Sequence, residues 1–379
     1  MSEKKQPIDS HVHFEVEPEI NKYFKLAIKA KASDLHLKVG QPPKLRINED
    51  IKGTTAEPFT EDKLEKLVFE ILTEKQKQFF MENGTLDFVY EAGPIDRFRV
   101  NIFRQRTKLS LSARKITSQI PAFDSLHLPP MVKTIADTSY EGLILVTGSA
   151  GCGKSTTLAA MLDHINHTRP CHILTIEDPL EFIYTDKKAI VSQREVGIDV
   201  TDIEDALRSL TRQDPDVVMI SEMKDQKTFS AAMRAAETGH LVFGTILSAS
   251  AAQTIQRILD LYPPEERDLA RQTFATTFKG IINQMLLPGI KKDVPRVPAV
   301  EILISNPIVK KLILEKRENS LDGVIKSCQK EGMQDLTESL HLLVEGDWID
   351  MKIALQYAPN IDELKMALKG IRSSSTGVL

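Results

Sequence analysis

The sequence predicts an α/β protein with an N-terminal α+β domain and a larger α/β domain that ends in helices. Before residue 116, short segments of alternating polarity are separated by Pro, Gly and Asn, which is typical of antiparallel strands. After residue 131, short apolar runs alternate with helix-like segments, which is typical of a parallel sheet. At 379 residues, the chain is long enough for two or three domains.

The N-terminal part begins with residues 1–20, which are polar and unpatterned and are expected to form a flexible arm. Apolar residues at helical spacing from about Glu19 predict a first helix. Strands are expected in the segments LHLKVG, PPKLRINEDI, TLDFVYEA and RFRVNIFRQRTKLSLSARKI, with the helix-like insert EDKLEKLVFEILTEKQKQFFMENG among them. We therefore place a small domain at residues 21–116.

The remaining chain is predicted to contain a linker, a sheet domain and a helical end. Residues 117–130 carry three prolines and lose the alternating pattern, which is typical of a linker. Residues 131–305 form the predicted core, and its strands are expected at GLILVTG, HILTIED, AIVSQRE, DVVMISE and HLVFGTIL. Residues 306–379 are predicted to form a helical cap. Pro307 is placed at a first helical turn, and later Gly and Pro residues separate amphipathic segments.

Composition narrows the class of protein. Apolar residues make up 41% and charged residues 27%, which excludes a disordered chain. The net charge of −4 and the lack of a long basic run argue against a nucleic-acid partner. The three cysteines are far apart, so we expect no disulfide framework and a cytoplasmic location. No signal peptide or membrane span is recognisable, so any membrane role is expected to come through partners.

The strongest motif lies between the first apolar strand of the core and a helical segment. It runs from Gly148 to Ser155 and matches the spacing G-x-x-x-x-G-K-[ST]. Its glycines let backbone N–H groups turn inward and cradle phosphate oxygens at a helix N-terminus. The predicted nucleotide-binding residues are Gly148, Ser149, Ala150, Gly151, Cys152, Gly153, Lys154, Ser155 and Thr156. Lys154 would supply charge to the β- and γ-phosphates, and Ser155 an oxygen to Mg²⁺.

Acidic residues that follow predicted strands are candidates for the chemistry at the γ-phosphate. Glu222 follows the run VVMI and is suited to orienting or deprotonating the attacking water. Glu177 and Asp178 follow the run ILTI, where they could act on the nucleophile or on a metal-bound water. Asp178 joins Ser155 as a predicted metal ligand. These acids are expected at the edge where α/β sheets bind their ligands.

Further motifs point to a family. TIEDPLEF, QREVG, RQDPD, SEMKD and AAETGHLVFGT resemble motifs of the secretion and type IV pilus motor ATPases, and the nearest branch is the PilT-type retraction branch. ASDLHLKVGQPPKLRIN and RFRVNIFRQR are similar to the PAS-like first domain of that family. The resemblance extends from about residue 22 to residue 370. The four-cysteine zinc motif of other branches cannot form, because Cys328 is the only cysteine after Cys171.

The resemblance implies a PAS-like domain followed by a RecA-like domain, and Mg²⁺-dependent hydrolysis of ATP by a cytoplasmic homohexamer that drives pilus retraction and twitching motility. The implied partners are an inner-membrane platform protein and a second motor ATPase. Lys154 and Ser155 match the Walker A site, Glu177 and Asp178 the Asp box, Glu222 the Walker B glutamate, and His240 the first histidine of the His box. Arg99 and Arg114 fall where the first domain of the family offers forked guanidinium groups to the nucleotide.

Three motifs depart from the family pattern. Ser248 replaces the second histidine of the His box, Ser221 and Lys224 replace Gly and Arg beside Glu222, and Leu314 replaces the arginine of a C-terminal signature. We expect hydrolysis to survive, because Lys154, Ser155, Glu177 and Glu222 are intact. The alternative is an accessory ATP-binding paralogue with weak hydrolysis that acts with an active motor. An unrelated nucleotide switch is the remaining alternative.

Overall fold

The protein is described here by a computed structural model that covers residues 17–47, 50–93, 97–116 and 119–370, without the side chain of Thr211. Most of the predicted arm, at residues 1–16, and the first two residues of the predicted linker lie outside the described residues. The chain divides into two compact units. The first extends to Gln119 and also includes Leu180–Ile183 and Glu195–Thr201, and the second contains the rest.

The first unit is built on a six-stranded antiparallel sheet with strand order β3-β2-β1-β6-β5-β4. Its inward side chains, such as Leu35 and Leu37, share a core with Phe24 and Leu64 from the helices. The elements are α1 (Asn21–Lys29), β1 (Asp34–Lys38), β2 (Lys44–Ile47), β3 (Asp50–Gly53), α2 (Glu61–Phe69), α3 (Glu74–Asn83), β4 (Thr85–Glu91), β5 (Arg97–Gln105) and β6 (Lys108–Ile116).

Two local features of this unit were not expected from the sequence. The helix-like insert forms two helices, because Thr73 starts α3 with a capping box that it shares with Gln76. The last predicted strand segment forms the hairpin of β5 and β6, which turns at Arg106 and Thr107 with φ of 47° and 66°. Such left-handed turns normally carry Asn or Gly, and neither residue is present to indicate this turn.

The second unit contains a seven-stranded sheet with strand order β13-β12-β7-β11-β10-β8-β9. Strands β12, β7, β11, β10 and β8 run parallel, and β13 is antiparallel to β12. The elements are α4 (Pro130–Thr138), β7 (Gly142–Thr147), α5 (Lys154–Thr168), β8 (His172–Glu177), β9 (Ile190–Glu195), α6 (Ile203–Arg208), β10 (Val217–Ile220), α7 (Gln226–Glu237), β11 (Leu241–Ile246), α8 (Ala251–Asp260), α9 (Arg267–Thr277), β12 (Phe278–Pro288) and β13 (Arg296–Ile304).

The five strands predicted for this part of the chain are confirmed as β7 to β11. All residues of β7, β10 and β11 are buried, which explains why they read as continuous apolar runs. Strands β12 and β13 were not expected from the sequence, although β12 lies directly beside β7. This omission matters for the site, because β12 contributes side chains to it.

The chain then continues as helices α10 (Pro307–Leu314), α11 (Leu321–Ser327), α12 (Leu336–Glu345), α13 (Met351–Tyr357) and α14 (Ile361–Leu368). Pro307 lies in the first turn of α10, as predicted, and the Asn306 side chain caps that helix. Leu340 and Leu343 are buried against β12 and β13, and Trp348 packs on the same cluster. Within the described ranges, no helix is long and apolar enough to cross a membrane.

Candidate functional site

The carboxyl ends of four parallel strands meet at one edge of the sheet in the second unit. Thr147 at the end of β7 pairs with Ile246 at the end of β11. Ile220 at the end of β10 pairs with Gly244 on one side and Ile176 on the other. The loops that follow β7, β8, β10 and β11 are therefore neighbours, and we call this side the carboxyl edge.

The loop after β7 has the backbone that the glycine motif requires. Gly148, Gly151 and Gly153 have φ of 141°, 76° and 92°, values that residues with a Cβ rarely adopt. A Cβ at Gly148 would lie 2.2 Å from the backbone oxygen of Gln284, so the loop can pack on β12 only if this residue is glycine. Residues 149–151 are exposed, which leaves the outer side of the loop open to a ligand.

Helix α5 begins at Lys154, directly after this loop. The Lys154 ammonium donates hydrogen bonds to the backbone oxygens of Ser149 at 2.8 Å and Gly148 at 3.2 Å. Burial raises the pKa of the nearby Cys152 thiol, which favours its neutral form. The loop therefore combines a helix N-terminus and a lysine charge, the combination that binds phosphate groups.

Glu177 and Asp178, at the end of β8, lie in different surroundings. Glu177 is buried, and its Oε1 accepts hydrogen bonds from Thr175 Oγ1 at 2.7 Å and Gln193 Nε2 at 3.3 Å. Asp178 is exposed, and its backbone N–H donates to Ser221 Oγ at 3.1 Å. The Glu177 carboxylate is thus held in a fixed orientation, whereas the Asp178 carboxyl faces solvent.

Glu222 follows β10 at the same edge. Its side chain is 31% exposed, and Oε2 lies 3.1 Å from the ammonium of Lys224. The preceding Ser221 is tied in from two sides, because its backbone oxygen accepts from Thr245 Oγ1 and its hydroxyl accepts from the backbone of Asp178. Ser221, a departure from the family motif, therefore links the loops after β8 and β10.

Strand β12 contributes two adjacent amides, Asn283 and Gln284, which the sequence analysis did not single out. Gln284 Nε2 donates to the Cys152 backbone oxygen at 2.7 Å, and Asn283 Nδ2 donates to Thr147 Oγ1 at 2.8 Å. The available signal was a polar pair inside an otherwise apolar segment, GIINQMLL.

Comparison with known proteins agrees with this geometry. A model of the family described as type II/IV secretion system protein matches residues 106–344. The type IV pilus retraction ATPase PilT of Pseudomonas aeruginosa is 41% identical over 335 residues, covering 88% of this chain and 96% of that protein. The chain belongs to the type II/IV secretion system protein family. The resemblance that the motifs indicated is confirmed.

Two further members of the family are similar along nearly the whole chain. The type IV pilus ATPase PilU of Pseudomonas aeruginosa is 33% identical over 351 residues, covering 93% of this chain and 91% of that protein. A crystal structure of the pilus retraction motor PilT with bound ADP has a TM-score of 0.83 and 42% identity, covering 91% of this chain and 98% of that one. This family member therefore has the mixed α/β fold of that motor.

The two arginines that the family resemblance proposed lie in the first unit. Arg99 on β5 and Arg114 on β6 are direct partners across the sheet. Arg114 is 75% exposed, and its Nε donates to Oδ1 of the buried Asp34 at 2.8 Å. Among the residues that the structure describes, Arg99 makes no ion pair or side-chain hydrogen bond. Two like charges in this position repel each other, and the Asp34 carboxylate on the other side of Arg114 offsets part of that repulsion.

The structure does not bring His240 to the phosphate loop of its own chain. His240 precedes β11, whose first residue pairs with Gly142, so it lies at the amino end of the strands. At about 3.3 Å per residue, the length of β11 separates His240 from the carboxyl edge by about 20 Å. The Nδ1 of His240 instead lies 3.0 Å from both the Ala235 backbone oxygen and Thr238 Oγ1.

The remaining departures from the family pattern lie in different places. Ser248 follows β11 at the carboxyl edge, and its hydroxyl donates to the Ser250 backbone oxygen at 3.1 Å. Lys224 faces Glu222, as described above. Leu314 ends α10 and is 48% exposed. Only Ser248, Ser221 and Lys224 therefore share the edge with the phosphate loop.

Proposed function

We propose that this protein is an ATP-hydrolysing motor of the type IV pilus machinery that drives pilus retraction. The observation that carries the proposal is the phosphate loop with Glu177 and Glu222 on adjacent strands at one sheet edge, in a chain 41% identical to PilT. Its first unit is a PAS-like domain and its second unit a RecA-like domain. The similarity to a PilT structure with bound ADP supports a nucleotide as ligand.

The phosphate loop and α5 bind the nucleotide. The backbone N–H groups of the loop and the N-terminus of α5 receive the β-phosphate, and Lys154 moves its ammonium from the loop carbonyls to the β- and γ-phosphate oxygens. The same contacts compensate part of the negative charge that builds up on the phosphate oxygens during hydrolysis. Thr156 follows within the first turn of α5 and completes the set of binding residues.

A Mg²⁺ ion bound to the phosphates would neutralise charge on the β- and γ-oxygens. The donors at the carboxyl edge fit such an ion, because Mg²⁺ takes oxygen ligands and the exposed Asp178 carboxyl and the Ser155 hydroxyl are both oxygen donors. Ser155 lies in the first turn of α5, directly after Lys154. Glu177, held by Thr175 and Gln193, orients the groups around this position.

Hydrolysis proceeds by attack of a water oxygen on the γ-phosphorus, and the bond from that phosphorus to the β–γ bridging oxygen breaks. Glu222 orients this water and accepts its proton, a role supported by its place after β10 and its partly exposed carboxylate. The products are ADP and inorganic phosphate. Lys224 holds the Glu222 carboxylate at 3.1 Å, so it influences how readily that carboxylate turns to the water.

Arg99 and Arg114 contribute further positive charge to the phosphates. A guanidinium keeps its charge and binds two phosphate oxygens at once, which suits a phosphoryl group that gains charge as the bond breaks. Two observations support this role. Among the described residues Arg99 makes no ion pair, and the Arg114 side chain is largely exposed.

The working assembly is a homohexamer in the cytoplasm, placed at the base of the pilus machine against an inner-membrane platform protein. A second motor ATPase is a further partner. Force would arise when nucleotide binding and hydrolysis change the arrangement of the subunits in the ring. These partners are proposed from the relationship to PilT and PilU.

The test of this function is steady-state ATP hydrolysis by the purified full chain in the presence of Mg²⁺. We expect turnover in the wild type and a fall of at least about 100-fold in Lys154→Ala, because the charge on the β- and γ-phosphates is lost. Lys330→Ala is the matched control, because it removes an exposed lysine toward the amino end of the parallel strands, where the adjacent Glu331 accepts a hydrogen bond from Asn306 after β13. A Lys154→Ala protein that bound and hydrolysed ATP like the wild type would contradict the proposal.

A further inference from the structure

Strand β12 carries two buried amide side chains in succession, Asn283 and Gln284, which are 4% and 3% exposed. Successive side chains of a strand point to opposite faces of the sheet, so the two amides reach different neighbours. A buried amide costs stability unless its hydrogen-bonding groups are paired. Strand β12 lies between β13 and β7, so two buried amides in succession are expected there only if each makes hydrogen bonds. Both amides do.

Gln284 holds the phosphate loop through a hydrogen bond from strand β12. Its Nε2 donates to the backbone oxygen of Cys152 at 2.7 Å, and its Oε1 accepts from the Thr157 hydroxyl at 2.8 Å. One amide thus fixes both the loop and the first turns of α5. The loop glycines also fit against it, since a Cβ at Gly153 would lie 3.0 Å from Gln284 Nε2.

Asn283 acts on the other face of the sheet. Its Nδ2 donates to Thr147 Oγ1 at 2.8 Å and to the Ser248 backbone oxygen at 3.2 Å. Thr147 is the last residue before the phosphate loop, and Ser248 lies in the loop after β11. Thr254 of α8 also reaches Thr147, with 3.4 Å between the two hydroxyl oxygens. A single amide therefore connects the start of the phosphate loop to the Ser248 loop.

We propose that Asn283 and Gln284 are positioning residues of the ATPase site. Gln284 holds the phosphate loop in the shape that receives the β-phosphate, and Asn283 sets the Ser248 loop relative to that loop. Neither side chain touches the nucleotide, and both act through the groups they hold. The inference rests on the proposed function and extends it from the residues that face the phosphates to those that fix them.

The two amides should affect different kinetic constants. Gln284→Met keeps the volume and removes both hydrogen bonds, so we expect the Kd for ADP and the KM for ATP to rise about tenfold, because the loop that binds phosphate is no longer held. Asn283→Leu should leave the Kd for ADP within about threefold and lower kcat by about 10- to 100-fold, because loops that flank the γ-phosphate are displaced.

The measurements are ADP binding by titration calorimetry, ATP hydrolysis at varied substrate concentration, and thermal unfolding of each full-length variant. Ser339→Ala is the matched control, since it removes a buried hydrogen bond to the backbone of Val300 on β13 of the same sheet. It should reduce stability without changing Kd, KM or kcat. Asn283→Asp keeps the shape of the side chain but can donate at most one of the two hydrogen bonds, and none when ionised, so it should lower kcat in the same direction as the leucine does.

If a β12 variant does not fold, the partner side of the same bond can be changed. Thr157→Val removes the hydroxyl that donates a hydrogen bond to Gln284 Oε1. Thr147→Val removes the hydroxyl oxygen that accepts a hydrogen bond from Asn283 Nδ2. Thr157→Val should raise the Kd for ADP and the KM for ATP, as Gln284→Met does, but by less. Thr147→Val should lower kcat, as Asn283→Leu does, but by less. The inference is overturned if the variants lose stability as Ser339→Ala does while Kd, KM and kcat stay within about twofold of wild type. A wild type that binds ADP without hydrolysing ATP would instead overturn the proposed function, and Gln284 would still be judged by the Kd for ADP.

Discussion

The two ends of the parallel strands in the second unit use polar side chains in opposite ways. At the amino end, His172 and His240 are engaged by neighbouring protein groups. His172 Nε2 lies 2.9 Å from Ser192 Oγ, its backbone N–H donates to Asp216 Oδ2 at 2.8 Å, and His240 Nδ1 lies 3.0 Å from the Ala235 oxygen. At the carboxyl edge, the Asp178 carboxyl is exposed and Glu222 is partly exposed, and buried amides hold the neighbouring loops after β7 and β11.

The role of a polar residue next to a strand therefore depends on the end of the sheet at which it lies. At both ends such residues look alike in sequence, but at the carboxyl edge buried amides support the loops and acidic side chains stay accessible. His240 belongs to a family motif and yet completes a local turn in this structure. The comparison can be tested by changing one group at a time at each end.

The largest effect is expected at Glu222. Glu222→Gln keeps the size of the side chain but cannot accept a proton from the attacking water, so kcat should fall at least about 100-fold. The Kd for ADP should stay within about threefold, because the phosphate loop is unchanged. Steady-state hydrolysis and ADP titration measure the two constants.

The control lies toward the other end of the strands. Glu237 is the exposed last residue of α7, and Glu237→Gln makes the same chemical change away from the carboxyl edge. It should leave both constants unchanged. If Glu222→Gln hydrolysed ATP as fast as Glu237→Gln, the carboxyl edge would not be the reactive one.

A smaller effect concerns stability and pH. Glu301 on β13 is buried, and its Oε2 accepts a hydrogen bond from the backbone of Ala251 at the start of α8. Burial, aided by the negative charges of Asp322 and Asp335, raises the pKa of Glu301 from 4.5 to about 7. The folded protein therefore holds this proton more tightly than the unfolded chain, and the resulting stability is fully present below pH 4.5 and lost as the pH rises through about 7.

Glu301→Gln should remove this part of the pH dependence. The amide keeps an oxygen that accepts from Ala251 and never ionises, so above pH 7 the variant should be more stable than wild type by roughly 3 kcal/mol at most. At pH 5 the two should differ much less. Urea unfolding between pH 5 and pH 8 gives the free energies, with Glu237→Gln as the exposed control. Identical pH profiles for wild type and Glu301→Gln would show that this carboxyl does not titrate in that range.

The sequence was sufficient to predict the phosphate loop and the strands β7 to β11. Glycines at fixed spacing have one strong structural reason, and strands buried on both faces appear as continuous apolar runs. The acids after β8 and β10 could be placed at one edge because parallel strands bring their carboxyl ends together. These inferences depend on local patterns, which a single sequence carries.

Other parts depend on contacts between distant residues and were not predictable. Strand β12 has polar Asn283 and Gln284 in its middle, which hides its strand pattern, and their purpose appears only when β12 lies beside β7. The turn at Arg106 and Thr107 lacks the usual turn residues. The position of His240 follows from strand register, which the motif itself does not specify.

The most direct test of the central claim compares ATP hydrolysis by the wild type and by Ser248→His at equal protein concentration. The account predicts that the wild type hydrolyses ATP by itself, because the groups at the carboxyl edge are complete, and that Ser248→His changes the rate only severalfold. Ser248 lies in the loop held by Asn283, so the added imidazole tests that loop directly. A wild type that bound ADP but showed no turnover until Ser248→His was made would contradict the account and indicate an accessory subunit.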